Sequence, residues 1–531
     1  MRNRSHATFA IALAVAGLLV TSGALAAQDG PRLRISTDSS VYRMGELIPL
    51  ELSFTADPSH RVTVNTATYD RSGRMGHEKF LIEPSDGTSD PIAVYFRSGW
   101  GFMGGGLFNL APLSHSPYVM RLNLNEWVRF DKPGKYRVTV TTDRVSAIQN
   151  LKSNTLELEI VEPGDAWQQA ELKQILADFD TSPAPNLIGL SSAERITAIS
   201  KLRYLGSAEA ARELARHLPG DENQVDWACM LGLIGSPNKQ AGYDEMKKLL
   251  ADPDFPVSDI FLTAMSILPL NPVDSPETLR QQREANWKEA RSELMAEIST
   301  KRGKAVAPSV NTLLESGNES DSQEEREKLV PLLIEHFDDL AIRGQRQWLE
   351  DRWPKVRSAK WLPTLRSIAA EYSDYPVPYA PNEDPAYDYF RLAGDGLTRW
   401  YELDPEGARP AVLAEIIRPK PRFSANTLGM LPDKVLPDEE RAIADHFIAE
   451  DAEKSFAVEG NLASLLNRYA DGAVLAEVLP KIRRKVGPFW ACDPENEALA
   501  YVERVDPEAA KPLLERVTPA CQSFPRRGDL P

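Results

Sequence analysis

Residues 156–169 read LELEIVEPGDAWQQ, and the periodicity of the sequence changes inside this stretch. Over residues 156–160, apolar residues alternate with glutamate, which is the pattern of a strand that buries one face. Pro163-Gly164 ends the alternation, and a helical pattern begins at Asp165. The chain is therefore predicted to join a β part to a helical part at this point.

Alternation with a period of two also occurs upstream of this stretch. Residues 48–54 and 136–140 each place apolar residues at every second position, and turn sequences such as Asp86-Gly87 separate runs of this kind. Because several strands follow one another without an intervening helical pattern, residues 27–163 are predicted to form an antiparallel β-sandwich.

Residues 130–136, FDKPGKY, followed by RVTV, resemble the turn and penultimate strand of bacterial immunoglobulin-like domains. In this resemblance Tyr136 stands in the place of the tyrosine-corner residue. The ring of that residue packs inside, and its hydroxyl bonds to nearby backbone. The resemblance implies an immunoglobulin-like sandwich and implies nothing about a ligand.

Paired helices are expected downstream of the change in period. Residues 202–218, LRYLGSAEAARELARHL, resemble HEAT-type repeats. Gly206-Ser207 recurs as Gly235-Ser236, and DPEGARP at 404–410 recurs as DPEAAKP at 506–512. Recurrence of this kind indicates an α-solenoid, whose units bury their faces on their neighbours.

The helical part is expected to be irregular. Residues 164–303 are predicted to form HEAT-like helical repeats, residues 304–324 a polar linker, and residues 325–531 a second helical-repeat lobe. The linker is predicted from the polar sequence SGNESDS at 316–322. The predicted fold class is thus multidomain, all-β plus all-α: an immunoglobulin-like antiparallel β-sandwich followed by an irregular α-solenoid of HEAT-like hairpins.

Residues 1–26 have the features of a cleavable secretory signal peptide. Arg2 and Arg4 give a positive start without an acidic residue. Residues 9–20 are apolar but shorter than the about 20 residues that span a membrane, and Ala24-Leu25-Ala26 fits a cleavage site. We expect cleavage after Ala26 and an extracytoplasmic protein, periplasmic or secreted; the alternative is an uncleaved N-terminal anchor.

The chain is acidic, with 61 Lys and Arg against 77 Asp and Glu and a formal charge of −16. Removing the signal peptide takes away Arg2 and Arg4 and no acidic residue, so the charge becomes −18. A chain of this charge repels phosphate backbones and anionic lipid surfaces. We therefore expect no nucleic-acid partner and no stable membrane insertion after cleavage.

The sequence contains three cysteines. Cys229 lies in an apolar run and is expected to be a buried small side chain. Cys492 and Cys521 flank the last predicted helical hairpin, and an oxidising compartment favours a disulfide between them. Two unbridged thiols and, less favoured, a metal site are the alternatives.

No catalytic, cofactor-binding or metal-ligating residue is predicted. The sequence holds no nucleophile elbow, phosphate-binding loop, dinucleotide fingerprint or EF-hand loop. His77-Glu78 begins like a zinc-protease motif, but Leu81 stands where the second histidine is required.

Two stretches of the helical part are candidate partner-contact segments. Residues 343–361, RGQRQWLEDRWPKVRSAKW, are locally basic and hold three tryptophans. Arginine and tryptophan are enriched where interfaces concentrate binding energy, so Arg346, Trp353 and Arg357 are candidate contacts. The alternative is that Trp348 and Trp361 pack in the core of the solenoid while the charges form a solvated face.

The second stretch is residues 372–390, YSDYPVPYAPNEDPAYDYF. Its prolines prevent a continuous helix. A tyrosine-rich loop suits recognition of a protein or a glycan, and Tyr375, Tyr379 and Tyr387 are candidate contacts. The alternative is an ordered insertion that packs on neighbouring helices.

These observations together predict an exported, non-enzymatic interaction or scaffold protein that binds an envelope or extracellular protein through its helical repeats. One alternative is an extracytoplasmic enzyme, such as a glycan hydrolase, whose carboxylates meet only in the folded chain. Another is binding of carbohydrate or cell wall by the β-sandwich.

Overall fold

A computed structural model describes most of the chain. The described residues are 30–67, 74–99, 109–146, 148, 150–183, 192–219, 223–315, 323–371, 385–416, 437–449, 456–485 and 492–516. The predicted signal peptide and Cys521 lie outside the described residues.

The N-terminal part is built of β-strands, as the alternating sequence predicts. The strands are β1 Arg32–Ser36, β2 Val41–Arg43, β3 Pro49–Thr55, β4 Thr63–Asn65, β5 Glu78–Glu83, β6 Thr88–Ser89, β7 Leu110–Pro112, β8 Tyr118–Asn123, β9 Arg129–Phe130, β10 Gly134–Thr142, β11 Leu151–Lys152 and β12 Leu156–Val161.

Two larger sheets organise these strands. In the first, β3 lies between β1 and β8, and both pairings are antiparallel. In the second, β5, β11 and β12 all pair antiparallel with β10. β2 adds to β12 in parallel, with Val41 opposite Glu159, so the prediction of a wholly antiparallel arrangement is wrong at this edge. The short β2 occupies the edge of β12 that would otherwise be unpaired.

The alternation in β3 has the predicted consequence for burial, whereas in β10 Thr139 is buried along with Val138 and Val140. Leu50, Leu52 and Phe54 of β3 are fully buried, whereas the residues between them are partly exposed. Leu52 pairs with Met120 of β8, which is also buried. One face of this sheet therefore forms apolar core, as expected for strands of period two.

Tyr136 has the geometry expected from the resemblance to the tyrosine corner. Its side chain is 3% exposed, and its hydroxyl donates to the Lys132 carbonyl at 2.9 Å. The ring centroid lies 4.8 Å from that of Phe130. The ring is thus buried while the hydroxyl bonds to backbone upstream.

The described residues after β12 are mainly helical, and one short helix lies within the N-terminal part. The helices are α1 Ala93–Arg97, α2 Asp165–Thr181, α3 Ala193–Leu205, α4 Ala208–Arg216, α5 Asn223–Gly235, α6 Lys239–Ala251, α7 Asp259–Ile267, α8 Pro276–Glu297, α9 Val306–Glu315, α10 Gln323–Glu335, α11 Ile342–Glu350, α12 Trp353–Val356, α13 Leu362–Glu371, α14 Pro385–Leu403, α15 Pro405–Ile416, α16 Pro437–Ala449, α17 Phe456–Tyr469, α18 Leu475–Lys485, α19 Cys492–Val505 and α20 Pro507–Leu514.

Several helices begin at the residues that the sequence indicates. The Ser192 side chain accepts from the Arg195 amide at the start of α3. Asp506 in the second DPE sequence accepts from the Ala509 amide at 3.0 Å, and so caps α20. Between α3 and α4, Gly206 has a φ of +71°, a left-handed conformation that ends a helix readily in glycine.

At several places in the helical part, a lysine or arginine side chain donates to carbonyls at or just beyond the carboxyl end of a helix. Lys301 is the most complete case: its ammonium donates to the carbonyls of Leu250, Asp252 and Phe255 at 2.9, 2.7 and 3.0 Å, at the end of α6. Such contacts satisfy carbonyls that a helix leaves without partners and complement its dipole. Further pairs of this kind are Lys239 with Leu270, Arg291 with Leu313, Arg399 with Leu349, and Arg504 with Leu466.

The structure corrects the predicted linker at 304–324. Its first half contains α9, which buries Val306, Val310 and Leu313. In the sequence, Pro308 and the neighbouring polar stretch make the apolar face of this helix hard to recognise. Residues 316–322, the polar stretch that suggested the linker, lie outside the described residues. A linker over these residues therefore stays a prediction.

The buried apolar side chains of the helical part form two clusters. The first extends from Ile92 to Leu392 and passes through α9 without a break. The second extends from Ala369 to Leu513. The change from one cluster to the other thus falls around α13 and α14 rather than at the predicted linker.

Contacts divide the chain into a β unit and a helical unit, with two exceptions to the predicted boundary at residue 163. Residues 44–47 and 89–101 belong to the helical unit. The second of these segments contains α1, and Tyr95 within it is fully buried, its ring centroid 6.4 Å from that of Trp227. A fragment that begins at residue 164 would therefore lack part of the helical core.

Candidate functional site

The candidate site lies in the helical unit, where α11 and α12 meet α14. Residues 388, 391, 395, 399 and 402 of α14 are all charged, and their spacing of three and four places them on one face of the helix. We call the group formed by Arg343, Arg346 and Glu350 of α11 and Asp388, Arg391 and Asp395 of α14 the charged seam.

Arg346 is the centre of the charged seam. Its guanidinium donates to Asp388 and to Glu350, in both cases at 2.8 Å, and its side chain is 17% exposed. Arg391 donates to the same Glu350 oxygen at 2.8 Å. Burial acts to raise the pKa of Glu350, but the hydrogen bonds from Arg391 and Arg346 hold it below its ordinary value. Arg346, a predicted partner contact, is thus engaged within the fold.

Asp395 differs from the other carboxylates of the charged seam. Its side chain is 1% exposed, and its closest ion-pair contact is with Arg346 Nε at 3.5 Å. Neither carboxylate oxygen has a hydrogen-bond partner among the described residues. Burial raises the pKa of Asp395 to about 8, the nearby charge of Glu350 adds to this, and Arg391 and Arg346 oppose it. Asp395 is therefore largely protonated at neutral pH.

A second set of contacts follows the charged seam along α14. Arg399 donates to the backbone carbonyls of Leu349 and Glu350 at 2.6 and 3.2 Å, and so caps the end of α11. It also pairs with Glu402 at 3.0 Å, and Glu402 in turn pairs with Arg357 at 2.9 Å. The guanidinium side chain of Arg357, a predicted contact, is 56% exposed.

Residues 354–360 run from α12 into the short 3-10 turn Ala359–Trp361, and we call this segment the basic turn. Lys355, Arg357 and Lys360 are all exposed there. Neither Lys355 nor Lys360 forms an ion pair with an acidic residue in the part of the chain that the structure describes. The turn therefore presents positive charge to solvent on a chain whose formal charge is −16.

Buried aromatic side chains hold both ends of the basic turn. Trp353 is 2% exposed and Trp361 is fully buried, with their ring centroids 6.0 Å apart. Trp361 Nε1 donates to the Val356 carbonyl at 2.9 Å, and the Ser358 hydroxyl accepts from the Lys360 amide at 3.3 Å. The turn is thus fixed before any partner arrives. Trp353, a predicted contact, leaves little of its indole for a partner to touch.

The tyrosine and cysteine predictions fall largely outside what the structure describes. Tyr375, Tyr379 and Cys521 lie outside the described residues. Tyr387 and Cys492 lie in the first turns of α14 and α19, and their side chains fall outside the described part of the chain. The proposed contacts and the disulfide therefore stay predictions. Cys229 is fully buried, as predicted for a small apolar side chain.

Two carboxylates outside the charged seam have raised pKa values, and the charge of one acts on the other; we call Asp259 and Glu315 the acid pair. Burial raises the pKa of Glu315, the ion pair with Arg352 opposes this, and the charge of Asp259 raises it further. Desolvation by the surrounding protein also raises the pKa of Asp259, although Asp259 is exposed to solvent. Trp348 Nε1 donates to Asn311 at 2.6 Å beside this group.

The β unit offers a groove of about 490 Å³ over β10 and β12. Its lining is mostly charged, with Glu83, Arg137 and Glu159 among the residues. Tyr136 is its one aromatic lining residue, and that ring is buried. Among its lining residues, the groove has no exposed ring on which a sugar could stack.

His77 and Glu78, which begin like a zinc-protease motif, each pair with a residue that follows β10. His77 Nδ1 contacts Asp143 at 2.6 Å, and Glu78 pairs with Arg144 in a fully buried ion pair. The two adjacent pairs join β5 to the end of β10. No group of three or more potential metal ligands occurs among the residues that the structure describes.

Sequence reasoning missed Asp395 and the two unpaired lysines of the basic turn. The charged positions of α14 were visible as a pattern, but a charged stripe at helical spacing usually faces solvent.

No helix of the described part is long and apolar enough to cross a membrane. No protein-family model matches the chain, and no curated protein matches it.

Proposed function

We propose that the chain is an exported, non-enzymatic interaction protein that binds an envelope or extracellular protein through its helical unit. The observation that carries the proposal is the basic turn, a rigid and exposed element between two buried tryptophans. A turn that is ordered before binding loses little conformational entropy when a partner docks, which favours affinity.

Affinity capture with the mature chain tests this function. The bait is residues 27–531, because residues 44–47 and 89–101 belong to the helical unit and a shorter fragment would remove them. Captured proteins are identified, purified and titrated back against the bait. Saturable binding by a purified envelope protein supports the function. If every captured protein fails to bind when purified, the function is wrong.

A second candidate function is hydrolysis of a glycan, for which the acid pair supplies two candidate carboxylates. Glycoside hydrolases use two carboxylates with different protonation states, and burial is one way to keep one of them protonated. Release of reducing sugar from cell-wall glycan, compared between the mature chain and its Asp259→Asn and Glu315→Gln variants, tests this. Activity that both variants lose supports it, and the absence of any release by the mature chain contradicts it.

We propose that the β unit is an immunoglobulin-like sandwich and that the helical unit is an irregular HEAT-like solenoid. The tyrosine-corner hydrogen bond of Tyr136 supports the first, and the recurring serine and aspartate caps support the second. Crystallography should find the two larger sheets packed face to face at about 10 Å. Sheets that do not face each other would contradict it.

We propose that residues 1–26 direct export and are then removed. N-terminal sequencing of the protein recovered from a periplasmic or culture fraction should begin at Ala27. Intact mass with and without reductant, in the same sample, tests the bridge between Cys492 and Cys521. Recovery only from the cytoplasm with Met1 retained would contradict the export.

A further inference from the structure

The charge of the basic turn carries an inference about the chemistry of the partner, and this inference rests on the proposed function. We infer that the basic turn binds an acidic segment of a partner protein, with Lys355, Arg357 and Lys360 facing carboxylates of that segment.

The first step is the balance of charge at the turn. Arg357 is already paired with Glu402, which is only 12% exposed and so lies behind the arginine rather than in front of it. Lys355 and Lys360 have no acidic partner within the described residues. Two lysines and the outer side of one guanidinium thus point into solvent with their charges largely uncompensated.

The second step is the range of the field. The chain has a formal charge of −16, which opposes the approach of any polyanion. At physiological salt this repulsion is screened over about 8 Å, so a partner in contact with the turn experiences chiefly the local positive charge. A short acidic segment of a protein can dock on the turn without placing a dense row of phosphates near the rest of the surface.

The third step is the fixed geometry of the turn. The anchors Trp353, Val356 and Trp361 are buried, so the lysines extend from a backbone that does not need to rearrange. Charge pairs that are held in place by a rigid backbone contribute to specificity and to the rate of association. A rigid cationic turn of this size suits a few carboxylates rather than an extended strand of nucleic acid.

Fluorescence anisotropy of a labelled peptide in which glutamate alternates with glycine tests the inference. The mature chain is compared with a variant carrying Lys355→Glu and Lys360→Glu. A matched control carries Lys173→Glu and Lys288→Glu, two exposed lysines of the helical unit, and so has the same net charge. We expect the basic-turn variant to bind at least about tenfold more weakly and the control to bind like the wild type.

Three outcomes would overturn the inference. They are no binding of the acidic peptide by the wild type, equal weakening in both variants, and binding of a labelled oligonucleotide in preference to the peptide. Near-ultraviolet circular dichroism of the tryptophans shows whether the basic-turn variant keeps its fold, and Lys355→Gln with Lys360→Gln provides a milder version. The capture experiment fails or succeeds independently, because it does not use this peptide.

Discussion

Replacement of Asp395 by asparagine should stabilise the protein at alkaline pH. Burial raises the pKa of this carboxyl from 3.8 to about 8. Between these two values the folded chain binds one more proton at Asp395 than the unfolded chain does. The contribution of Asp395 to the free energy of unfolding therefore falls as pH rises through this window, and it is fully lost above about pH 8. Asparagine has no charged form and avoids this loss.

The size of the effect follows from the shift. About four pKa units separate the folded from the unfolded value, and each unit corresponds to about 1.4 kcal/mol, which sets an upper limit of about 6 kcal/mol. Relaxation around a buried group reduces such penalties in real proteins. We expect Asp395→Asn to raise the free energy of unfolding by about 2–4 kcal/mol near pH 8, and by less than about 1 kcal/mol near pH 4.

Urea unfolding of the wild type and the variant at both pH values measures this difference directly. Asp388→Asn is the matched control, since Asp388 accepts a hydrogen bond from Arg346 at 2.8 Å and asparagine, whose carbonyl can still accept, removes the negative charge that faces that guanidinium. The control should destabilise at both pH values. If Asp395→Asn instead destabilises by about 3 kcal/mol or more at both, Asp395 is an ionised partner of Arg346 and the reasoning is wrong.

Two further substitutions test the packing of the helical unit. Tyr95→Ala should lower the free energy of unfolding by about 3–5 kcal/mol, because it removes a fully buried ring from the helical core. Tryptophan fluorescence follows the unfolding, and a loss below about 1 kcal/mol would contradict the assignment of residues 89–101 to this unit. Lys301→Met should lower the free energy of unfolding in urea by about 2–4 kcal/mol, because three carbonyls lose their donor. Lys304→Met, at an exposed neighbour, should change it by less than about 0.5 kcal/mol. Equal effects of the two substitutions would refute the capping role.

The β unit shows what local pattern can predict. The alternation over residues 48–54 correctly predicted which side chains are buried, because successive side chains of a strand point to opposite faces of the sheet. Tyr136 could be recognised because its corner depends on a turn only a few residues away. The parallel pairing of β2 with β12 joins residues that are more than a hundred positions apart, and no local signal reports it.

Helix starts were visible in the sequence for the same reason. Ser192 and Asp506 cap helices through amides three residues ahead, so the signal is contained in a few neighbouring residues. The capping of α6 by Lys301 acts over about fifty positions and could not be seen. The membership of residues 89–101 in the helical unit is equally non-local.

The candidate site was predictable only in part. The basic composition of residues 343–361 indicated a contact surface, and the exposed Arg357 agrees with that idea. Composition could not tell which members of the stretch point inward. Trp353 and Arg346 do so, because helix α14 covers them with a face that is itself charged. Burial of Asp395 likewise depends on the packing of two helices rather than on its neighbours in sequence.

Carbodiimide cross-linking of the mature chain to its purified partner tests the central claim most directly, because this reagent joins lysine amines to carboxylates only when they are in contact. The proposed function and the acidic character of the partner predict that intermolecular links concentrate on Lys355 and Lys360 and that high salt abolishes them. Links confined to the β unit, or spread evenly over the exposed lysines, would contradict the account.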